Sequence, residues 1–324
     1  MAMSASSPSV WVLADDRAGN VTQAVGVAEA LGWPFLRKDI RYGRLGVLAN
    51  VARGASLLGV TEDCRNALVP PWPDLVIGAG RRTAPVARWI RRQNPATRLC
   101  QIMDPGWPGR DDFAVIAVPS HDDHVPAAAN VLPVIGAPHR VTPELLAREA
   151  ERWRSRLEFL PRPWLAVIVG GTTRHHRFTA DHARRLAESI GQMAEALGAS
   201  LLITTSRRTG PEAEAVLAES LTRPAHWFRW GDAGENPYFA YLGLADHVIV
   251  TGDSVSMACE ACGGSAPVSI FVAPGMVATK HSRLHAELVA RGYARLLDGR
   301  PEAVAHPPLN AARVVAQRLR EVMA

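Results

Sequence analysis

A chain of 324 residues is long for one ordinary core and fits two domains of roughly 150 residues each. Its 48% hydrophobic and 21% charged residues are those of a globular protein and exclude extended disorder and fibrous repeats. The formal charge of +5 rests almost wholly on arginine, Lys38 and Lys280 being the only lysines, which favours anionic partners and suits phosphate. Basic and aromatic residues do not interleave as in a nucleic-acid platform, so no nucleic-acid partner is expected.

The N-terminal stretch MAMSASSPSVWVLADD lacks a basic segment followed by an apolar run, and no segment has the length to span a bilayer. A cytoplasmic protein is expected, peripheral to the inner membrane if its acceptor is a lipid. Cys64, Cys100, Cys259 and Cys262 are too scattered for a disulfide framework and read as reduced thiols. Cys259 and Cys262 form a CxxC with no second pair or histidine cluster, so no metal is expected and the two should share a packed helical face.

Along the chain, short apolar runs alternate with amphipathic helical patterns, the signature of doubly wound parallel sheets. A strand at Val10–Ala14 leads through a loop at 15–21 to a helix at 22–31 stopped by Gly32. Strands at 75–77, 99–103 and 115–118 end in the loops GAGRRT, DPG and PSHD. A polar helix at 143–157 and the Pro-flanked segment 161–163 mark a domain junction. The pattern then restarts. Strands at 165–169, 201–205, 247–250 and 268–271 end in GGTTRHHRF, SRRTG, TGDS and APGMVATKHSR, with helices at 180–197 and 212–220. Two Rossmann-like domains are predicted, 1–160 and 161–305, with carboxyl edges facing each other across a cleft where ligands bind.

The stretch 248–261 reads as strand, tight loop and helix start, which gathers unpaired backbone N–H groups that favour phosphate. Gly252, Ser254 and Ser256 line this turn, and Glu260, six residues beyond Ser254, is placed to accept from ribose hydroxyls. Asp253 would repel phosphate and reads instead as a helix cap or a partner for a hydroxyl or amine. Gly171, Thr172, Thr173 and Arg174 follow their strand directly as further phosphate donors, as do Ser206, Arg207 and Arg208. Asn236 and Tyr238 precede a short helix and could meet a base, with Trp227 and Trp230 upstream, or the aromatics could close the core beneath a loop. Lys280 would place a point charge near a leaving phosphate. In the first half, Gly19, Asn20, Gln23 and Arg81 are acceptor-side candidates, and Asp15 or Asp104 a general base, with helix capping the competing role for either. No GxSxG elbow, P-loop or HExxH competes.

The segments LADDRAGNVTQAVGVAEALG, VIGAGRRTAP, QIMDPG, GAPHRVTPE, TTSRRTG, ENPYFAYLGLAD and VTGDSVSMACEA together resemble bacterial relatives of the plant elongated-mitochondria fission proteins, described as mitochondrial-fission-like or as nucleoside-diphosphate-sugar epimerase-like. The second half is more distantly similar to GT-B glycosyltransferases such as the lipid-linked N-acetylglucosamine transferase of peptidoglycan synthesis. That resemblance implies a GT-B-like α/β fold, a nucleotide-sugar grip at Gly252, Ser254, Ser256 and Glu260, and a C-terminal helix, 306–324, that crosses back to the first domain. Asp253 departs from the small residue usual at such a turn, and Asp16 from the glycine the fission-like family often has after Asp15. The expected function is metal-independent, inverting transfer of a sugar from a UDP-, GDP-, ADP- or CMP-linked donor to a lipid or glycan acceptor, without a cofactor. The alternatives are a nucleotide-sugar epimerase on the same fold, and a non-catalytic scaffold acting in membrane remodelling.

Overall fold

The computed structural model describes residues 7–106, 109–122, 124, 127–300 and 306–324. The chain divides into two compact units, one running to Arg140 and taking up Asn310–Ala324, the other Val141–Leu309.

In the first unit the elements are β1 (Val10–Ala14), α1 (Ala18–Leu31), β2 (Phe35–Asp39), α2 (Asn50–Arg53), α3 (Glu62–Asn66), β3 (Leu75–Ala79), α4 (Ala84–Gln93), β4 (Arg98–Ile102), β5 (Val115–Pro119) and β6 (Val131–Val134). The second unit runs α5 (Pro143–Leu157), β7 (Trp164–Val169), α6 (Ala180–Leu197), β8 (Ser200–Thr205), α7 (Pro211–Ser220), β9 (Ala225–Phe228), α8 (Tyr238–Leu244), β10 (His247–Thr251), α9 (Val255–Ala261), β11 (Val268–Phe271), α10 (Thr279–Ala290) and β12 (Arg295–Leu296). The chain ends in α11 (Ala311–Met323), part of the first unit.

Each unit has a six-stranded sheet, ordered β2-β1-β3-β4-β5-β6 and β12-β11-β10-β7-β8-β9, and every strand pair in both is parallel. Central strands are buried on both faces, which is why they read as unbroken apolar runs. Alternation along β1 sends Val10 and Val12 to one side, against Val27 and Leu31 of α1 and Val315 and Leu319 of α11. Trp11 and Leu13 go to the other, against Val86 and Ile90 of α4. In the second unit Leu165, Val167 and Val169 pack on Leu186, Ile190 and Met193 of α6.

The division between units falls after Arg140, not at the 160/161 junction that the Pro-flanked segment suggested. The reason is the packing of α5 on α8, where a Cβ at Gly243 would lie 2.5 Å from the Leu146 carbonyl oxygen. α5 is thus a layer of the second unit. Two further boundaries differ from the sequence reading. α1 begins at Ala18, inside the expected loop, and α10 begins at Thr279, inside the expected loop after β11.

The strand orders set the candidate sites. β2 lies on one side of β1 and β3 on the other; β8 lies on one side of β7 and β10 on the other. Each sheet therefore has a topological switch point, at β1/β3 and at β7/β10, where the loops at the carboxyl ends diverge and leave a crevice. Among the described residues, no helix is long and apolar enough to cross a membrane.

Candidate functional site

At the β7/β10 switch point three loops are tied into one body by a buried carboxylate. Gly170 follows β7, and its N–H donates to Thr251 Oγ1 of β10 at 2.7 Å. The next N–H, of Gly171, donates to Asp253 Oδ2 at 2.8 Å, and the same oxygen lies 2.8 Å from Arg208 Nη1 in the loop after β8. The Asp253 side chain is fully buried, whereas that of Arg208 is 31% exposed, so the guanidinium is held from within and still reaches solvent. Asp253 Oδ1 has no hydrogen-bond partner.

The glycines make this possible by their bareness. A Cβ on Gly170 would lie 2.4 Å from both Asp253 carboxylate oxygens, and one on Gly171, at φ +149°, 2.1 Å from the Arg208 carbonyl oxygen. The close approach expected between this loop and a ligand is therefore made by the protein's own groups. The loop's N–H groups are likewise engaged: Thr172 N–H donates to Arg208 O at 2.8 Å and Thr173 N–H to His176 O at 2.8 Å. The Thr172 hydroxyl accepts from Phe178 N–H at 3.1 Å and the Thr173 hydroxyl from His176 N–H at 3.2 Å. Gly171 and Thr173 thus have their donors engaged within the protein, the Thr173 hydroxyl donating to His176 O at 3.3 Å, whereas the exposed Thr172 hydroxyl accepts from Phe178 and keeps its own O–H to donate.

Ser206 has the same structural character. Its hydroxyl donates to Gly170 O at 2.7 Å, and Thr209, to which the sequence assigned nothing, donates to that oxygen at 2.5 Å. These two clamp the Arg208 loop onto the β7 end. Arg174 and Arg207 are exposed. Asp253 is not the cap of α9: Ser254 is, its hydroxyl accepting from Met257 N–H at 3.4 Å, while Asp253 is committed to Gly171 and Arg208. Ser256 is half-buried in the first turn of the same helix.

Lys280 and His281 begin α10, and His281 interacts electrostatically with Asp253, Lys280, His176 and Arg208. Burial lowers the imidazole's pKa, the Asp253 carboxylate opposes this, and the neighbouring cations add to the lowering. Arg208, anchored on the buried carboxylate, and Lys280 both act on His281, and two such cations beside a neutral imidazole are suited to a multiply charged anion. His281 was legible only as a residue beside Lys280, because the helix that presents it was read as loop. Gly252 belongs to the same packing: its Cβ would lie 2.6 Å from His285 Cε1 of α10.

At the other end of α9, Tyr238 Oη donates to Glu260 Oε2 at 2.6 Å. Burial pushes the Glu260 carboxyl up to about 7, against the opposing pull of the Tyr238 hydrogen bond. Asn236 Oδ1 accepts from Tyr238 N–H at 3.0 Å and fixes the start of α8. Cys259 and Cys262 are buried thiols. Among the described residues no cluster of three or more His, Cys, Asp or Glu is placed to hold a metal ion.

In the first unit Asp15 directly follows β1, is 7% exposed, and accepts from Arg17 N–H at 3.1 Å and Asn20 Nδ2 at 3.2 Å. Asn20 fits because position 80 is glycine: a Cβ there would lie 2.4 Å from Asn20 Nδ2. Asp15 also lines a hollow of about 670 Å³ with Val21, Val25 and Phe35 on its walls and Arg140 at its rim. Gln23 is half-buried, its Oε1 without a partner, while Gly19 is exposed in the first turn of α1. Arg81 is exposed, and its carbonyl accepts from Asn50 Nδ2 at 2.8 Å. Asp104 differs sharply from Asp15. Arg110 grips both its oxygens, at 2.8 and 2.6 Å, and that guanidinium, with the Gly106 N–H, holds the carboxyl below its usual range.

With two six-stranded parallel sheets, each with a topological switch point, the chain has a GT-B fold. Solved structures agree in fold. A UDP-GlcNAc 2-epimerase from Neisseria meningitidis bound to UDP-GlcNAc superposes with TM-score 0.56 at 13% identity, over 97% of this chain and all of that one. Acinetobacter baumannii MurG gives 0.50 at 13% identity over 98% and 91%, and a family 9 glycosyl transferase from Veillonella parvula gives 0.50 at 12% over 100% and 99%. The chain belongs to the Mitochondrial fission ELM1 family, which it matches over residues 18–323. Relatives include the uncharacterized protein RP120 of Rickettsia prowazekii, 25% identical over 95% of this chain and 97% of that protein. The mitochondrial fission protein ELM1 of Arabidopsis thaliana is 27% identical over 83% of this chain and 68% of that protein.

Proposed function

We propose that this chain is a glycosyltransferase that takes its sugar from a nucleotide-sugar held by the second unit. The observation that carries this reading is the Asp253 tie, which fixes Arg208 at the β7/β10 switch point with Lys280 and His281 beside it. A nucleoside diphosphate matches this chemistry, with charge for the cations and a ribose for Glu260 in the last turn of α9. Asn236 and Tyr238 are assigned to the base side, Ser256 and the N–H groups of the α9 start to the phosphates.

In the reaction, Asp15 takes the proton of an acceptor hydroxyl. The oxygen bonds to the anomeric carbon from the face opposite the leaving group, which inverts that centre. The bond to the diphosphate oxygen breaks, and the departing electron pair is stabilised by Arg208 and Lys280, so these cations supply the charge a metal would otherwise provide. The acceptor is assigned to the first unit, where Asp15 opens on its hollow.

The test is calorimetric titration of UDP, GDP, ADP and CDP into the full chain, followed by incubation with the matching nucleotide-sugars. One diphosphate should bind and raise the melting temperature, and Arg208→Ala should remove the effect. A second reading, epimerisation of the bound donor, draws on the superposition with epimerases over the whole length. Isomerised donor in the absence of any acceptor would establish it instead. No stabilisation by any nucleotide would sink both and leave the scaffold reading.

A further inference from the structure

The β1/β3 switch point of the first unit contains an arrangement that the roles assigned above leave unused. Arg53 is only 2% exposed, among the most deeply buried large side chains of the protein. Its Nε donates to Leu58 O and its Nη1 to Arg82 O, both at 3.2 Å, while Nη2 is buried with no hydrogen-bond partner. No carboxylate lies within ion-pair distance of it among the described residues. A buried cation held only by carbonyl oxygens and the neutral Tyr42 side chain is costly, and a negative charge brought to it offsets that cost.

A second guanidinium shares its aromatic partner. Arg82 and Arg53 both pack on the ring of Tyr42, 4.3 and 5.0 Å from its centroid, and the Tyr42 hydroxyl donates to Arg82 O at 2.6 Å. Burial pushes that phenol up to about 12, so it stays neutral and supplies no counter-charge. Arg82 Nε is buried without a partner, and Arg82 Nη1 meets Asp16 at 2.6 Å. Asp16 is the one carboxylate paired with either guanidinium among the described residues, and its side chain is 61% exposed. Asp15 is turned instead to Asn20 and the Arg17 N–H. Asn50 Nδ2 bridges Arg81 O and Pro105 O, at 2.8 and 2.9 Å, and so fixes the loops after β3 and β4 around the pair.

We propose that this edge of the first unit is a second ligand site, which binds a phosphate group on Arg82 and Arg53 in place of the Asp16 carboxylate. Two guanidiniums sharing one aromatic ring favour a doubly charged anion over a carboxylate, and the solvated Asp16 is an internal stand-in that such an anion displaces. The segment between Tyr42 and Arg53 carries Leu45, Val47 and Val51, respectively 51%, 77% and 60% exposed. The phosphate therefore comes either from a soluble metabolite or from a molecule with an apolar chain. Binding here does not depend on the glycosyltransferase reading. Only the naming of the bound molecule as that enzyme's acceptor does.

The experiment is titration of inorganic pyrophosphate into the full chain carrying Arg208→Ala, which silences the second unit, at low ionic strength. Binding should persist, weaken at least about tenfold on adding Arg82→Gln, and tighten several-fold on adding Asp16→Asn, since the competing carboxylate is gone. The Asp16 variant decides the matter if Arg82→Gln does not fold. Loss of all pyrophosphate binding in Arg208→Ala alone overturns the proposal and leaves the second-unit site standing; equal affinity in the Asp16→Asn chain also overturns it. If Arg208→Ala leaves nucleotide binding intact, the proposed function falls and this site does not. A parallel titration with geranyl phosphate separates the sources. Tighter binding than pyrophosphate, reversed by Val47→Ser, assigns a lipid phosphate, and equal binding a soluble one.

Discussion

Asp253 Oδ2 accepts from the Gly171 N–H and pairs with Arg208 Nη1, each at 2.8 Å, so one buried oxygen joins the ends of β7, β8 and β10. Removing it leaves a buried N–H without an acceptor and a guanidinium without its anchor. Asp253→Ala should cost about 2–3 kcal/mol, below the range for a wholly buried pair because Arg208 can turn to water. Urea unfolding should show a lower midpoint at unchanged slope. Nucleotide affinity should fall in the same variant, and an unchanged affinity would separate the tie from the site.

Gly170 is the complement of that tie. Its Cβ would lie 2.4 Å from both carboxylate oxygens, which are fixed, so Gly170→Ala should destabilise by about 1–3 kcal/mol through overpacking. Asp253→Ala removes the obstruction, so the double variant should be less destabilised than the sum of the two single ones. Strict additivity in a double-mutant cycle would show that the glycine is not there for the aspartate. Gly252→Ala should cost less, because the atom it meets, His285 Cε1, is the end of a side chain that can shift.

What the sequence disclosed follows from what each strand touches. β1, β5, β7, β8, β10 and β11 are buried end to end and show as apolar runs, interrupted in β8, β10 and β11 only by Ser, Thr or His. The edge strands β2, β6, β9 and β12 face solvent on part of their length and carry residues such as Arg37, Lys38, His226 and Arg295, which hide the pattern. The site was legible as loops after strands, and Tyr238 and Glu260, named separately, prove to be bonded partners. Its internal wiring was not legible. That Thr209 bonds to Gly170 O, and that Asp253 bonds to Gly171 while packing on Gly170, is a fact of contacts between residues up to 83 positions apart, invisible to spacing. Arg53 was hidden for a similar reason: in sequence it is one arginine among many.

The Glu260–Tyr238 pair makes stability depend on pH in a set direction. The Glu260 carboxyl titrates near 4.5 when unfolded and near 7 in the fold. Between these values the folded state holds a proton that the unfolded state has lost, so stability falls as pH rises across the window. The contribution is fully present below about pH 4.5 and gone above about pH 7. Glu260→Gln should flatten this slope in chemical denaturation at pH 5 and pH 8, and weaken nucleoside binding most at pH 8, where the wild-type carboxylate is ionised and accepts from both ribose hydroxyls. Tyr238→Phe removes the bond that favours the ionised form and should carry the slope to higher pH. A wild-type stability independent of pH between 5 and 8 would contradict the burial of this group.

Asp15 and Asp104 lie in the loops after β1 and β4 of the same sheet, yet their surroundings fit them for different work. Asp104 is gripped bidentately by Arg110, which holds its carboxyl below the usual range and makes it a weak proton acceptor. Asp15 accepts only from an amide side chain and a backbone N–H, and it lines the hollow walled by Val21, Val25 and Phe35. Asp15→Asn preserves the shape and should lower the rate of sugar transfer by about 10²–10⁴-fold, the span of a positioned general base, while leaving nucleotide affinity unchanged. Asp104→Asn should lower it far less and act through stability, since it releases Arg110. Steady-state rates and melting temperatures of the two variants, measured with the donor identified by titration, discriminate the roles. Equal rate losses would mean that the loops act through their fold, and that neither carboxylate takes the proton.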